Sequence, residues 1–307
     1  MSLETDLLLD RRRLKRRLFF WRSLAVLAVL VAVLVAIRGA GLRIHGNHVA
    51  RLTISGIITA DRDLDRQVAK LADDDRAKAL LVLIDSPGGS VGGGQALHNA
   101  IARVAAKKPV VAVMGGTAAS AGYMIAVPAS RIFAQESTLT GSIGVLLETG
   151  DISGLLKMIG VAADPIVSGP LKDQPSFVKP LSPQGREVLQ GLVMDMYDQF
   201  VGMVAEGRHM DPAKVRELAD GRPYTGRQAL KLGLIDAIGG EREARQWLAQ
   251  AKGVSADLPV EDVSSEGYAR RVFSSGLGWM LTGLWKSLSS QGVILDGAWA
   301  IWQRSGG

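Results

Sequence analysis

The chain contains no cysteine. Disulfides, thiolate nucleophiles and cysteine-ligated zinc are thereby excluded from its 307 residues. Histidine is scarce: His45, His48, His98 and His209 are all four. None forms the HExxH pair of a zinc peptidase helix. His45 and His48 read as a loop, with a metal-binding pair as the lesser alternative. There is no Walker A lysine and no GxGxxG dinucleotide turn. The 36 glycines fall in short runs without a fixed period, which excludes a fibrous repeat and points to tight turns.

Little of the formal charge of +6 belongs to the bulk of the chain. Residues 1–22 hold seven Arg or Lys against three Asp or Glu, leaving 29 basic and 27 acidic residues elsewhere. A basic face for nucleic acid is therefore not expected, and no nucleic-acid partner is assigned. With 47% hydrophobic and 21% charged residues, the chain has the composition of a globular protein with a substantial core.

Arg11-Arg12-Arg13-Leu14-Lys15-Arg16-Arg17 precedes an apolar stretch from Leu18 to Ile37, interrupted near its start by Arg22. Twenty helical residues rise about 30 Å, enough to cross a bilayer core. The basic cluster would remain cytoplasmic by the positive-inside rule. The expectation is a basic tail (1–17), a transmembrane anchor (18–38), a linker (39–48), a main domain (49–255) and a C-terminal extension (256–307). A cleaved signal peptide competes, with Ala36 and Gly39-Ala40 as small residues near its end. Either reading places the main domain beyond a bacterial inner membrane, in the periplasm or its equivalent. The extension holds Trp279, Trp285, Trp299 and Trp302. That density suggests contact with lipid, a second subunit or the chain's own core.

Within the main domain the pattern predicts strands over 49–58, 79–85, 109–114 and 131–134, and a possible short strand over 163–167. Helices are expected over 64–73, 91–106, 118–127, 183–206, 212–219, 226–232 and 241–251. Ala79 to Asp85 is continuously apolar until its last residue, as a strand buried on both faces would be. Strand and helix alternate, which implies an α/β fold with a mostly parallel sheet. Two Gly-rich turns, Ser86-Pro87-Gly88-Gly89 and Gly115-Gly116, end successive strands, where parallel sheets tend to bind ligands.

Three segments carry chemistry. In Gly115-Gly116-Thr117-Ala118-Ala119-Ser120-Ala121-Gly122-Tyr123, one hydroxyl sits among tiny residues between a buried strand and a helix. Small neighbours permit close approach of a peptide, and first-turn N–H groups favour an oxyanion. The same pattern fits a serine that merely caps or packs a helix. Asp85-Ser86-Pro87-Gly88-Gly89-Ser90 can present backbone N–H groups, or be an ordinary turn. Ser168-Gly169-Pro170-Leu171-Lys172-Asp173 offers one lysine, which would need burial to act as a neutral base. His98 lies in a predicted helix and His209 in a helix–helix turn, so a Ser-His-Asp triad is poorly supported. That scarcity makes a Ser-Lys pair worth considering.

Five motifs in order, DSPGG (85–89), AASAGY (118–123), TGSIGV (140–145), SGPLKD (168–173) and GRPYTGRQALKLGLID (221–236), resemble the signal peptide peptidase A group of serine protease family S49, in its short bacterial form. The resemblance runs from about residue 49 to 240. It implies a crotonase/Clp protease-like α/β fold with repeated ββα units. It implies Ser120 as nucleophile, Lys172 as general base, and the N–H groups of Gly88 and Ser120 as oxyanion hole. Ser142 resembles a hydroxyl that orients the lysine. Gly89, Ala121, Gly122 and Asp173 are supporting positions. The family usually has Gly where this chain has Ala121. The resemblance further implies a homo-oligomer (an octamer is the suggested size), peptide substrates such as signal-peptide remnants, contact with membrane lipid, and no metal or cofactor. Two rivals are an inactive membrane-associated scaffold of the same fold and a crotonase-like acyl-CoA enzyme.

Overall fold

The computed structural model describes residues 20–24, 27 and 46–263. The chain divides into two compact units between Gly46 and Asn47. Of the first unit's apolar run, residues 20–24 and 27 are helical. Among the described residues no helix is long and apolar enough to cross a membrane. The rest of the expected anchor, and the Trp-rich extension from residue 264, lie outside the described residues.

The second unit opens with β1 (His48–Ile58), α1 (Arg62–Lys70) and a 3-10 turn (Leu71–Asp73). Then come β2 (Ala77–Gly89), α2 (Val91–Ala105), β3 (Val110–Ala119), α3 (Ala121–Ala126), β4 (Arg131–Ala134) and β5 (Leu139–Gly141). A long irregular stretch holds one short helix, α4 (Ser153–Met158). It leads to α5 (Pro183–Arg208), α6 (Pro212–Leu218), β6 (Pro223–Thr225), α7 (Gly226–Lys231), β7 (Ala237–Ile238), α8 (Glu241–Lys252) and β8 (Val260–Asp262).

All strands join one sheet of order β6-β5-β3-β2-β1-β8, with β4 on β3 and β7 on β4. Every pairing is parallel except β5 with β6. The strands alternate between two cores because successive side chains point to opposite faces. Leu80, Val82 and Ile84 join Ile101, Val104, Tyr123, Phe200 and Val204 beneath α2, α3 and α5. Ala79, Leu81, Val111 and Val113 join Ala244 and Leu248 of α8 on the other face. This double burial explains the unbroken apolar run in β2.

The ββα units take a particular form here. The ladder between β1 and β2 slips at Ser55/Ile57, and that between β2 and β3 at Ile84/Ser86. Each long strand thus has a base and an offset tip. The base of β3 (Val111–Met114) pairs with β4 and its tip (Thr117–Ala119) with β5. Only β4 and β5 are two separate strands. Several expectations need correction for the same reason. Ser86 to Gly89 is strand and not turn, since the tip continues the ladder to Ile58↔Gly89. Ala118 and Ala119 finish β3, so α3 starts later than its apolar pattern suggested. Residues 163–167 form no strand and pair with nothing in the sheet. β8 lies beyond residue 255 yet pairs with β1. His48 belongs to β1, buried, with its Nε2 3.9 Å from Glu261, rather than to a loop.

An ion pair with a buried arginine and a partly exposed carboxylate ties the helical layer to the sheet. Arg208, at the end of α5, binds Asp236 through two hydrogen bonds of 3.0 and 2.6 Å. Asp236 also accepts the Ile132 N–H of β4 at 2.7 Å. The Arg208 side chain is 8% exposed. Removing the carboxylate strands that cation, which in buried pairs costs about 3 kcal/mol. Asp236→Ala is accordingly expected to lose about that much stability in urea unfolding; a loss under about 1 kcal/mol would mean the pair is solvated as a surface pair is.

Candidate active site

The offset tips of β2 and β3 build the site. β3 runs into α3 through Ser120, whose φ of 54° and ψ of −120° are strained for a residue with a side chain. The strain is held by backbone bonds on both sides. Ser120 N–H donates to the Gly141 carbonyl at 2.9 Å, and the Ser120 carbonyl accepts from Tyr123 and Met124 N–H, each at 2.9 Å. The junction therefore turns sharply and leaves the Ser120 side chain half-buried at its apex.

Gly88, on the neighbouring tip, presses against that apex. Its φ is +116°, and a Cβ placed on it would stand 2.9 Å from Ser120 Cβ and 3.3 Å from Ala121 N. No other residue type fits both the dihedral and the space. Ser86 shapes this strand tip from below: its buried hydroxyl accepts the Gly88 N–H at 3.1 Å. Sequence reasoning passed over Ser86; its signal was a hydroxyl between Asp85 and Pro87, two residues before the glycine it holds. Asp85 bridges the ladder slip by accepting Thr117 N–H at 3.0 Å. Gly89 and Gly122 are close-approach positions. Added Cβ atoms would meet the Ile58 carbonyl oxygen at 1.9 Å and the Ser86 carbonyl oxygen at 2.9 Å respectively.

The expected oxyanion donors are differently engaged. The Ser120 N–H is bound to Gly141, and the Gly88 N–H to Ser86 Oγ. The N–H of Ala121 opens α3 and has no partner among the described residues, as first-turn amides do not. Ala121 is buried, and its methyl faces Gly94 of α2, where an added Cβ would lie 2.9 Å from it. The extra methyl noted in the sequence is thus accommodated by a glycine opposite.

The remaining candidates lie on other segments. Ser142, also at positive φ (47°), donates its hydroxyl to the Gly221 carbonyl at 3.1 Å. It follows Gly141, so it is tied through the backbone to Ser120. Lys172 is exposed in a turn closed by its own N–H to the Gly169 carbonyl at 3.1 Å. Among the described residues no hydrogen bond or ion pair reaches its amine, and none joins it to Ser120 or Ser142. Asp173 is largely buried and ion-paired with Lys179 rather than with Lys172. That contact is ionic only, since neither Asp173 oxygen has a directed hydrogen-bond partner among the described residues. Tyr123 anchors α3 by donating to the Leu234 carbonyl at 2.8 Å, and full burial pushes its phenol well above the usual range. No cluster of three metal-ligating side chains occurs among the described residues.

A parallel α/β sheet with a strained serine between strand tip and helix, backed by a glycine at positive φ, has the form of a nucleophile site. Residues 51–139 match the Clp protease family model, and residues 102–255 match that of peptidase family S49. The chain is 42% identical over 210 residues to slr0021 of Synechocystis, a protein assigned as a protease, covering 68% of this chain and 76% of that one. It is 39% identical over 198 residues to a protein of Enterococcus faecium assigned as signal peptide peptidase SppA, covering 64% and 57%. Protease 4 of Salmonella typhi is 37% identical over 187 residues, which is 61% of this chain and 29% of that protein. The chain thus spans less than two thirds of the second and third of these relatives. It belongs to peptidase family S49, and its relatives support peptidase activity.

Gly88→Ala tests the apex. The methyl would push on Ser120 while forcing an unfavourable φ, and each such fault costs about 1–3 kcal/mol. Peptidase activity is expected to fall at least about tenfold, with a measurable drop in unfolding free energy. Unchanged activity and stability would show that the glycine is not needed there.

Proposed function

We propose that this chain is a membrane-anchored serine endopeptidase acting on cleaved signal peptides and similar membrane-near peptides. Ser120 is its nucleophile and Lys172 its general base. The observation that carries this reading is the strained Ser120 junction pressed against Gly88, with the Ala121 N–H unpaired beside it. Strain of this kind persists where the surrounding structure fixes it, and it clusters at reactive positions.

The neutral amine of Lys172 takes the Ser120 Oγ proton as the oxygen attacks the peptide carbonyl. The oxyanion is received by the Ala121 N–H and by the Gly88 N–H, which exchanges its bond to Ser86 Oγ for the stronger charge-assisted one. The ammonium of Lys172 gives its proton to the leaving amine, the C–N bond breaks, and an acyl-enzyme remains. A water deprotonated by Lys172 then releases the acid and restores Ser120. The small residues around Ser120 suit small apolar substrate side chains.

Two features lead us to place the complete site between copies. Lys172 is exposed and among the described residues engages no side chain, and the stretch that carries it exposes Leu146, Leu155, Met158 and Ile166. A neighbouring copy that covers this apolar stretch would bury the amine, as a neutral base requires. The assembly is a homo-oligomer with its N-terminus cytoplasmic, residues 18–38 as the anchor, and the peptidase unit on the outer face of a bacterial inner membrane.

The test is cleavage of a signal-peptide substrate by the full chain in detergent. Ser120→Ala and Lys172→Ala are each expected to lose at least about a thousandfold in kcat while staying folded. Mixing the two inactive proteins under conditions that exchange subunits should restore part of the activity. Activity in either single variant refutes the dyad. Two inactive variants that never complement place both residues in one copy. A folded wild type that cleaves no peptide supports the scaffold instead.

A further inference from the structure

Helix α3 carries a defect that its sequence dictates. In an α-helix the carbonyl of one residue accepts the N–H four residues on. Four residues beyond Met124 stands Pro128, which has no N–H. The Met124 carbonyl lies in the last turn of this fully buried helix, where carbonyls lack intrahelical partners, and the proline removes the next N–H that could have reached it. An unpaired buried carbonyl is costly, and here it is not left unpaired. His98 Nδ1 of α2 lies 2.9 Å from the Met124 oxygen.

The bond fixes the state of the ring. A carbonyl can only accept, so Nδ1 carries the proton. Burial lowers the His98 pKa from its ordinary value, with the Met124 bond and the Glu206 charge acting the other way. The imidazole is thus neutral near pH 7 with its proton on Nδ1. His98 is also one helical turn from Gly94, on the same face of α2. A Cβ on Gly94 would stand 2.9 Å from Ala121 Cβ and 3.1 Å from Met124 Sδ. So α2 meets α3 twice, at its first residue by close packing and at its fourth by a directed hydrogen bond.

On the reading of Ser120 as nucleophile, we propose that His98 is a positioning residue for the reaction. Its Nδ1–H stands in for the amide that Pro128 lacks. By fixing the Met124 carbonyl it sets the helix whose first turn holds Ser120 and the Ala121 N–H. A six-residue helix has few bonds of its own with which to resist a shift. Misplacement of a nucleophile by a fraction of an ångström lowers the rate of the chemical step more than it lowers substrate binding.

The test compares four full-length proteins with wild type in steady-state peptide cleavage and in the rate of Ser120 labelling by a fluorophosphonate. His98→Leu removes the donor. His98→Asn keeps an amide donor near the position of Nδ1. His98→Leu with Pro128→Ala returns the missing helical N–H. Ser120→Ala is the control. His98→Leu is expected to lower kcat and the labelling rate about tenfold with KM unchanged, the cost of one unpaired buried carbonyl. His98→Asn and the double variant should each recover most of that loss. A role confined to stability would lower the unfolding midpoint and leave kcat of the folded fraction intact, and that result overturns the proposal. So does a double variant as slow as His98→Leu. If His98→Leu does not fold, His98→Asn and the double variant decide: both active supports the role, and either one folded but slow overturns it. An inactive Ser120→Ala beside a fully active His98→Leu refutes the positioning role alone. An active Ser120→Ala refutes it together with the reading it rests on.

Discussion

The architecture depends on one contact, the backbone of Gly88 against Ser120. Two strand tips and a helix start converge there, and there is room for hydrogen on the glycine but not for a methyl. Everything near it serves the approach. Ser86 holds the Gly88 amide, Gly141 holds the Ser120 amide, and Asp85 spans the slip in the ladder. The strained φ of Ser120 costs on the order of 1–3 kcal/mol, which a relaxed helix start would not. A fully buried α3 offsets it: each large apolar side chain taken from water contributes about 1.5–3 kcal/mol, and Met124 and Ile125 are both enclosed.

The sheet makes that convergence possible by being built in two offset parts. Its bases form the double-faced core, where Leu80, Val82 and Ile84 face one helical layer and Ala79 and Leu81 the other. Its tips are offset from the bases by the register slips and carry Gly88 and Ser120 at their ends. Rigidity of the base and close approach at the tip are thus separate properties of the same strands. The Arg208–Asp236 pair and the Tyr123 hydroxyl fasten the outer helices to the same region of the sheet through the 233–236 loop.

Family membership and geometry speak to different halves of the site. The Ser120 junction is held in place by backbone bonds within the chain itself. The Lys172 half sits on an irregular stretch whose apolar side chains face outward. Its one firm electrostatic feature is Asp173 with Lys179, which spends the neighbouring carboxylate on a cation other than Lys172.

Much of this was legible in the residues. The unbroken apolar run of β2 announced a strand buried on both faces, and the alternation of strands and helices announced a parallel sheet. The helices expected from residues 183 and 226 begin there, as α5 and α7, each capped by the hydroxyl of the residue before, Ser182 and Thr225. The order of five motifs fixed the family. The sequence pointed less clearly wherever local preference and tertiary pairing disagreed. Ser-Pro-Gly-Gly has the chemistry of a turn, yet it extends β2 because its neighbours supply ladder partners. Ala118 and Ala119 suit a helix, yet the β5 tip claims them for β3. Ala163 to Val167 has the composition of a strand, but no sheet edge accepts it. Composition and periodicity are local, so they determined most of the elements and the core faces, while the motifs supplied the candidate residues. Which N–H groups remain unpaired, which small residues touch, and which histidine completes a proline-broken helix depend on contacts between segments tens of residues apart. Only the folded chain decides those.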